Sequence, residues 1–129
     1  METLGRDEVR QALSCLNDNV RLAKASLLRH FPDAAGAASI DARANLMRAH
    51  LLEAIEVLRP PHRTAFGSFE SRHYDVLCLR YIEGMAVGEM SHELSLGRRQ
   101  IHRDLQEAEE KLAEVMRALP GASTEGDSA

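Results

Sequence analysis

Apolar residues recur along this chain at intervals of three and four, the spacing that places them on one side of an α-helix. Residues 6–16 show this pattern first. After a break at 17–19, a short second helix follows and ends before Pro32. The apolar residues of these two helices are Val9, Leu13, Leu16, Val20, Leu22, Ala23, Leu27 and Leu28. No segment alternates β-branched and polar residues as a strand would, so the pattern predicts an all-α fold.

A longer helix is predicted after a loop at 32–39, with Ser39 or Asp41 as its N-terminal cap. Its apolar stripe consists of Ile40, Ala44, Met47, Leu51, Ile55 and Leu58. Two consecutive prolines end this helix, and the segment 60–71 is rich in proline, glycine and polar residues. This composition predicts a linker, which Phe66 and Phe69 are expected to anchor to a neighbouring part of the protein.

The second half of the chain predicts three further helices. The segment 74–82 is apolar on nearly every side and belongs in the middle of a bundle, and Gly84 ends it. A short helix fits 87–94, with Glu89 where a capping-box acid would be. A turn at 95–97 then leads into a long helix that begins at Arg98. The apolar stripe of this last helix is Ile101, Leu105, Ala108, Leu112, Val115 and Leu119.

The start of the long helix carries the chemistry that suggests a function. Between residues 98 and 103 there are three arginines, one histidine and one glutamine, and no acid. Further along, acids dominate: Asp104, Glu107, Glu109, Glu110 and Glu114. Arginine donates two hydrogen bonds to guanine and glutamine two to adenine, and a helix-turn-helix presents the start of its second helix to base edges. The predicted DNA-binding residues are Arg98, Arg99, Gln100, His102, Arg103 and Gln106.

The segment 77–112, LCLRYIEGMAVGEMSHELSLGRRQIHRDLQEAEEKL, resembles the fourth-region helix-turn-helix of the bacterial sigma-70 family. The residues that match the family pattern are Leu77, Leu79, Arg80, Tyr81, Glu83, Gly84, Glu89, Leu94, Ile101, Arg103, Leu105, Ala108, Lys111 and Leu112. The match covers about 40 of the 129 residues. The preceding helical half is more loosely similar to modules placed before such a domain, and does not resemble the promoter-melting second region.

Four residues depart from the family pattern. Ala86 and Gly97 stand at the two positions of capping serines, Ser91 stands where a small apolar residue lies between the helices, and Ser95 replaces the glycine of the turn. Losing a serine cap to alanine costs about 1 kcal/mol, and less for glycine. We expect these changes to affect the rigidity of the motif more than its fold.

The resemblance implies a domain organisation and a function. We expect an N-terminal helical module at 1–59 for dimerisation or partner binding, the linker at 60–71, a helix-turn-helix at 72–117 and a disordered tail at 118–129. The implied function is sequence-specific binding of double-stranded DNA in transcription regulation. A homodimer on two half-sites is expected, because one such helix covers few base pairs.

Two alternatives remain open from the sequence. An output domain of the quorum-sensing-regulator type uses nearly the same helix pattern and would also bind DNA. Sigma fourth regions also dock on RNA polymerase, so the chain could instead be a protein-interaction module. The acid-rich end of the last helix would suit a protein partner, whereas the acid-free segment 98–103 favours DNA.

Composition and charge exclude several other classes of protein. The chain is 44% hydrophobic, which excludes disorder throughout, and its net charge of −4 argues against indiscriminate coating of nucleic acid. Without a long apolar run or an apolar N-terminal segment, neither a membrane protein nor a secreted one is expected. Cys15 and Cys78 are interpreted as reduced core thiols in the cytoplasm. The histidines lack metal-ligand spacing and no catalytic motif is present, so no cofactor, metal or enzyme activity is expected.

Overall fold

The computed structural model describes residues 3–122, and within this range the chain is helical and contains no strand. The prediction of an all-α fold is confirmed. The helices are α1 (Arg6–Ser14), α2 (Asn19–Ala23), α3 (Pro32–Ala35), α4 (Ile40–Val57), α5 (Arg72–Leu77), α6 (Val87–Leu94) and α7 (Arg98–Arg117). A 3₁₀ segment at Ser26–His30 precedes α3, and a π-helical segment at Cys78–Ile82 follows α5. None of the described helices combines the length and the apolar character that a bilayer crossing requires.

One hydrophobic core joins the two halves of the chain. The helix α7 packs against α1, α4, α5 and α6, while α2 and α3 pack on α4. Leu22, Met47 and Leu51 from the first half are fully buried, as are Leu112 and Met116 from α7. The segments 3–59 and 72–117 therefore share a single core, in which α7 is the common element.

The region 18–39 is more broken than the sequence predicts. The expected second helix is divided into α2 and the 3₁₀ segment, and the expected loop contains the short helix α3. Asp18 caps α2 by accepting a hydrogen bond from the Arg21 backbone N–H at 3.2 Å. Pro32 starts α3, because its fixed φ suits the first position of a helix and its missing N–H is not needed there. Val20, predicted to face the core, is 49% exposed.

The long helix α4 begins as predicted, and Ser39 is the capping residue of the two candidates. The Ser39 hydroxyl accepts a hydrogen bond from the Ala42 backbone N–H at 3.0 Å. Ile40, the first residue of the helix, is 45% exposed, so the buried stripe begins one turn later than predicted. From there it includes Ala44, Met47, Leu51, Ala54 and Ile55.

The helix predicted through residue 82 changes its hydrogen bonding after Leu77. The Glu83 N–H donates to the Cys78 carbonyl at 2.8 Å, five residues back, which is the spacing of a π-helix. The altered twist leaves Ile82 45% exposed, although the sequence placed it in the core. Gly84 adopts a φ of +78° and ends the helix as predicted.

The linker at 60–71 is held by polar contacts and not by its two phenylalanines. Phe66 and Phe69 are 58% and 87% exposed, so the prediction that they pin the linker is wrong. Instead, the buried carboxylate of Asp75 in α5 accepts a hydrogen bond from the Gly67 backbone N–H at 2.7 Å. The Ser71 hydroxyl lies 2.7 Å from the same carboxylate oxygen. A buried carboxylate with these partners is a stronger constraint on the loop than a surface apolar contact.

The beginning of the predicted tail lies on the core. Leu119 is buried, and Ala122 packs against the hydrophobic cluster. Gly121 lies so close to His50 that a Cβ atom added there would be 2.7 Å from the imidazole ring. The remainder of the predicted disordered tail, 123–129, lies outside the described residues, as do residues 1 and 2.

Candidate nucleic-acid interface

The helix α6 begins with half of the predicted capping box. Ala86 precedes the helix and has no polar side chain to accept a hydrogen bond from the first turn. The Glu89 carboxylate supplies the other half, because it accepts a hydrogen bond from the Ala86 backbone N–H at 3.0 Å. The start of α6 is therefore held by an acid alone.

The turn between α6 and α7 is tight and carries local strain. Ser95 adopts φ 55° and ψ 43°, a left-handed conformation that costs a residue with a Cβ atom roughly 1–2 kcal/mol. The Leu96 N–H donates to the Ser91 carbonyl at 3.1 Å, and the Ser91 hydroxyl donates to the Leu96 carbonyl. Ser91 and Leu96 thus hold the turn between α6 and α7 by two hydrogen bonds.

The two sides of α7 differ as the sequence predicts. Of the predicted stripe, Val115 is half-buried and the other residues are buried, and Met116 joins them as a fully buried side chain. Gly97 stands at the N-cap in an extended conformation without a side-chain cap, and the Ile101 N–H donates to its carbonyl at 3.1 Å. One side of α7 is thus fixed in the core, and the other faces outward.

The six predicted DNA-binding side chains do not have equal exposure. Gln100 is half-buried, and its amide donates to the Asp104 carboxylate at 2.8 Å. This hydrogen bond directs Gln100 along the flank of α7. The exposed residues are Arg98, Arg99, His102, Arg103 and Gln106.

Arg98 is exposed but lies across α6. A Cβ atom added to Gly88 would be 3.0 Å from an Arg98 guanidinium nitrogen, so a larger residue there would require the arginine to shift. Gly88, interpreted from the sequence as helix punctuation, instead makes space between α6 and α7. Arg98 therefore spans both helices at their junction.

The remaining four exposed residues form a continuous surface, here called the polar face: Arg99, His102, Arg103 and Gln106. Within residues 3–122, the side chains of Arg99, His102 and Arg103 make no hydrogen bond or ion pair. The only acid between 98 and 106, Asp104, is buried. No neighbouring acid therefore pairs with Arg99 or Arg103, and their positive charge is available to an anionic ligand.

Asp104, the first of the acids that follow the basic segment, is buried on the flank of α7. One of its oxygens accepts the hydrogen bond from Gln100, and the other lies 3.7 Å from a guanidinium nitrogen of Arg72 in α5. The Arg72 side chain also lies 6.0 Å from the centre of the Phe69 ring. Asp104 therefore ties α7 to α5 and contributes no exposed negative charge beside the polar face.

Glu109 is a second buried acid, only 3% exposed. The Tyr81 hydroxyl donates to its carboxylate at 2.6 Å, and a guanidinium nitrogen of Arg6 lies 3.8 Å from its other oxygen. Burial raises the pKa of Glu109, although Tyr81 and the nearby arginines favour its charged form. Burial also raises the pKa of Tyr81, and the neighbouring Glu109 carboxylate raises it further.

A groove of about 440 Å³ lies beside the polar face and collects basic residues that the sequence analysis missed. Arg6 and Arg10 of α1 and Arg80 of the π-helical segment line it, together with His102 and Gln106 of the polar face. Arg6 and Arg10 lie one turn apart in α1, but Arg80 and the α7 residues are distant from them in sequence. No local pattern could have grouped the whole set, because only tertiary packing, including that of α1 on α7, places them around one groove.

Comparison of the chain with protein-family models, with curated proteins and with solved structures gave no match. The resemblance to the sigma fourth region therefore stays a prediction from the residues and their spacing. Among residues 3–122, no group of histidine, cysteine and acidic side chains is arranged to hold a metal ion. Cys15 is buried and Cys78 half-buried, both as thiols whose pKa is raised by burial.

Proposed function

We propose that α6 and α7 form a helix-turn-helix that binds double-stranded DNA sequence-specifically and regulates transcription. In this proposal the polar face of α7 enters the major groove and α6 crosses the phosphate backbone. The chain would thus use the fold of a sigma fourth region as a separate regulator.

The observation that carries the proposal is the surface at the start of α7. Between residues 98 and 106 the exposed side chains are basic or amide-bearing, the single acid is buried, and Arg99 and Arg103 have no partner within the described residues. A solvated helix surface in an acidic protein usually mixes the two signs of charge. An acid-free exposed segment on a chain of net charge −4 is therefore the feature that distinguishes this surface.

Individual residues have separate roles in the proposed complex. Arg99, Arg103 and Gln106 would contact base edges, since they point outward from the same side of α7. Arg98, across α6, and His102 would contact phosphates or base edges. Gln100 would read a base only after leaving its hydrogen bond to Asp104. A homodimer would place two such helices on successive half-sites.

The double variant Arg99→Ala/Arg103→Ala tests the proposal directly. Both side chains are exposed, so the variant should fold as the wild type does. The probe is a fluorescent duplex carrying the sequence obtained by in vitro selection with the wild-type protein. Each bidentate arginine lost should cost about 1–3 kcal/mol of specific affinity, so the double variant should lose detectable specific binding in fluorescence anisotropy.

The matched control is Lys24→Glu, which changes the net charge by the same two units. Lys24 is exposed at the end of α2, which packs on α4. The control should bind the selected duplex nearly as the wild type does. Unaltered affinity in the folded double variant would refute the proposed DNA-reading role of the polar face.

The second candidate function is docking on RNA polymerase or another transcription protein. The observation in its favour is the linker surface, where Phe69 is 87% exposed and shares a groove with Val57, which is 58% exposed. The acid-rich end of α7 supports it less than the sequence suggests, because Asp104 and Glu109 are buried. If the double variant retained full affinity for DNA, this candidate would take first place.

A further inference from the structure

The basic groove beside the polar face is formed by three separate parts of the chain. Arg6 and Arg10 come from α1, Arg80 comes from the π-helical segment, and α7 supplies His102 and Gln106. The two α7 residues also belong to the polar face. A ligand lying on the polar face would therefore reach the groove without crossing any other surface.

The groove keeps an excess of positive charge. Its three arginines stand against one carboxylate, Glu109, which is buried and already accepts the Tyr81 hydroxyl. The exposed Asp7 lies outside the groove lining, at 3.4 Å from Arg6 and 3.9 Å from Arg10. Three arginines against the carboxylates of Glu109 and Asp7 still leave the groove with one net positive charge. Because Asp7 is exposed, water screens its contacts with the two arginines.

Arg80 and Arg10 retain donors that can face a ligand. One Arg80 guanidinium nitrogen donates to the Met85 carbonyl at 2.8 Å, which orients the side chain and uses one of its five N–H donors. The Arg10 side chain is 58% exposed, and its contact with Asp7 is its only ion pair within the described residues. The groove therefore offers donors from two elements to an acceptor-rich group.

The charge pattern of α7 explains why a nucleic acid would leave this helix towards α1. One turn after Gln106, the exposed residue is Glu110, and Glu107 is also exposed. These acids would repel a phosphate backbone that continued along α7. Cations that continue the polar face are supplied instead by α1 and by Arg80, on the far side of the groove.

We propose that the groove binds a phosphate of the DNA backbone through Arg10, Arg6 and Arg80, so that α1 contacts the same duplex that α7 reads. This inference rests on the proposed function. It gives the N-terminal helix a direct role in DNA binding, besides its contribution to the core. Such contacts would hold the duplex in register without reading its sequence.

Arg10→Ala is the test, because the Arg10 side chain is 58% exposed and, unlike Arg6, makes no ion pair with Glu109. Binding is measured by fluorescence anisotropy on two duplexes of equal length, one carrying the selected sequence and one of random sequence. Affinity for both should fall by roughly three- to tenfold. The slope of log affinity against log salt should become shallower by about one, with base preference unchanged.

Two further variants make the test specific. Lys24→Ala removes the same charge at an exposed site on the α2 side of the molecule and should leave affinity and salt slope as in the wild type. Asp7→Ala removes the acid that competes for Arg6 and Arg10 and should tighten binding to both duplexes. Circular dichroism confirms that each variant is folded.

Unchanged affinity and salt slope in Arg10→Ala would overturn this inference. If Arg99→Ala/Arg103→Ala still abolished specific binding, the proposed function would stand without it. A changed base preference at constant salt slope would also overturn it, because that result indicates a base contact. If the wild-type protein bound neither duplex, the proposed function and this inference would fail together.

Discussion

The two ends of α7 differ in the burial and pairing of their charged side chains. At its start, Arg99 and Arg103 are exposed and have no partner within the described residues. Beyond Gln106, Glu109 is buried against Tyr81 and α1, while Leu112 and Met116 fill the core. The start of α7 thus exposes unpaired positive charge, whereas Glu109 further along is buried and paired inside the protein.

This difference shows how a small protein can hold an exposed charged surface in a fixed position. Holding side chains in a productive geometry requires support from packed elements behind them. Here α1, α4 and α5 pack on α7, and the polar face extends from the helix that they hold. The buried end supplies rigidity, and the exposed end supplies uncompensated charge.

The largest expected effect comes from removing a core side chain at the buried end of α7. Leu112 is fully buried, and Leu112→Ala should lower the free energy of unfolding by about 2–5 kcal/mol, through lost burial and the cavity left behind. The neighbouring Lys111→Ala is exposed and should change it by less than about 0.5 kcal/mol. Urea denaturation measures both. Equal effects of the two variants would show that the helix phase assigned to this end is wrong.

A smaller effect concerns the pH dependence of the buried acid. The pKa of Glu109 is raised by burial above its ordinary value of 4.5, so the folded state binds this proton more tightly than the unfolded state. Its contribution to stability therefore decreases as the pH rises from about 4.5 through the raised pKa. Glu109→Gln removes this dependence, so the variant should gain stability relative to the wild type over that interval.

Glu8 provides the matched control of opposite sign. Burial alone would raise the pKa of Glu8, but hydrogen bonds from His30, Ser26 and Arg29 outweigh it and lower the pKa. Its stabilising contribution is present above pH 4.5 and is lost as the pH falls through the lowered pKa. Relative to the wild type, Glu8→Gln should therefore lose stability as the pH rises through the lowered pKa to 4.5 and run parallel to it above that pH, whereas Glu109→Gln should gain stability only above pH 4.5. Urea unfolding of both variants and the wild type on both sides of pH 4.5 measures this, and a Glu109→Gln curve parallel to the wild type above pH 4.5 would contradict the assignment.

The smallest expected effect concerns the turn between α6 and α7, which precedes the exposed start of α7. Ser95 has a φ of 55°, which glycine adopts without a Cβ penalty. Ser95→Gly should stabilise the protein by about 0.5–1 kcal/mol, whereas Ser95→Ala keeps the strain and should not. Thermal unfolding followed by circular dichroism measures both. A loss of stability in the glycine variant would mean that the Ser95 side chain holds the turn.

Much of α6 and α7 could be predicted because their signals are local. The stripe from Ile101 to Leu112 follows from helical periodicity, and Gly84 follows from the backbone conformation that it alone readily adopts. The exposure of Arg99 and Arg103 follows from the same periodicity. The function of these arginines remains a prediction, supported by their exposure and by the absence of an acid on that surface.

Other features could not be predicted from local patterns. Phe66 and Phe69 are apolar, yet they are exposed because Asp75 and Ser71 hold the linker instead. Glu109 is charged, yet it is buried because Tyr81 and Arg6 lie beside it. In each case a residue distant along the chain or in another element decides the outcome.

Helical periodicity and capping residues were enough to predict the helical class, the positions of α4, α6 and α7, and the exposure of the basic residues at the start of α7. Each of these features depends on interactions between residues a few positions apart. Tertiary packing alone joins the two halves in one core, buries Asp104 and Glu109, and places Arg6, Arg10 and Arg80 around one groove. Burial and charge pairing depend on which elements pack together, and that choice is made by the whole chain at once.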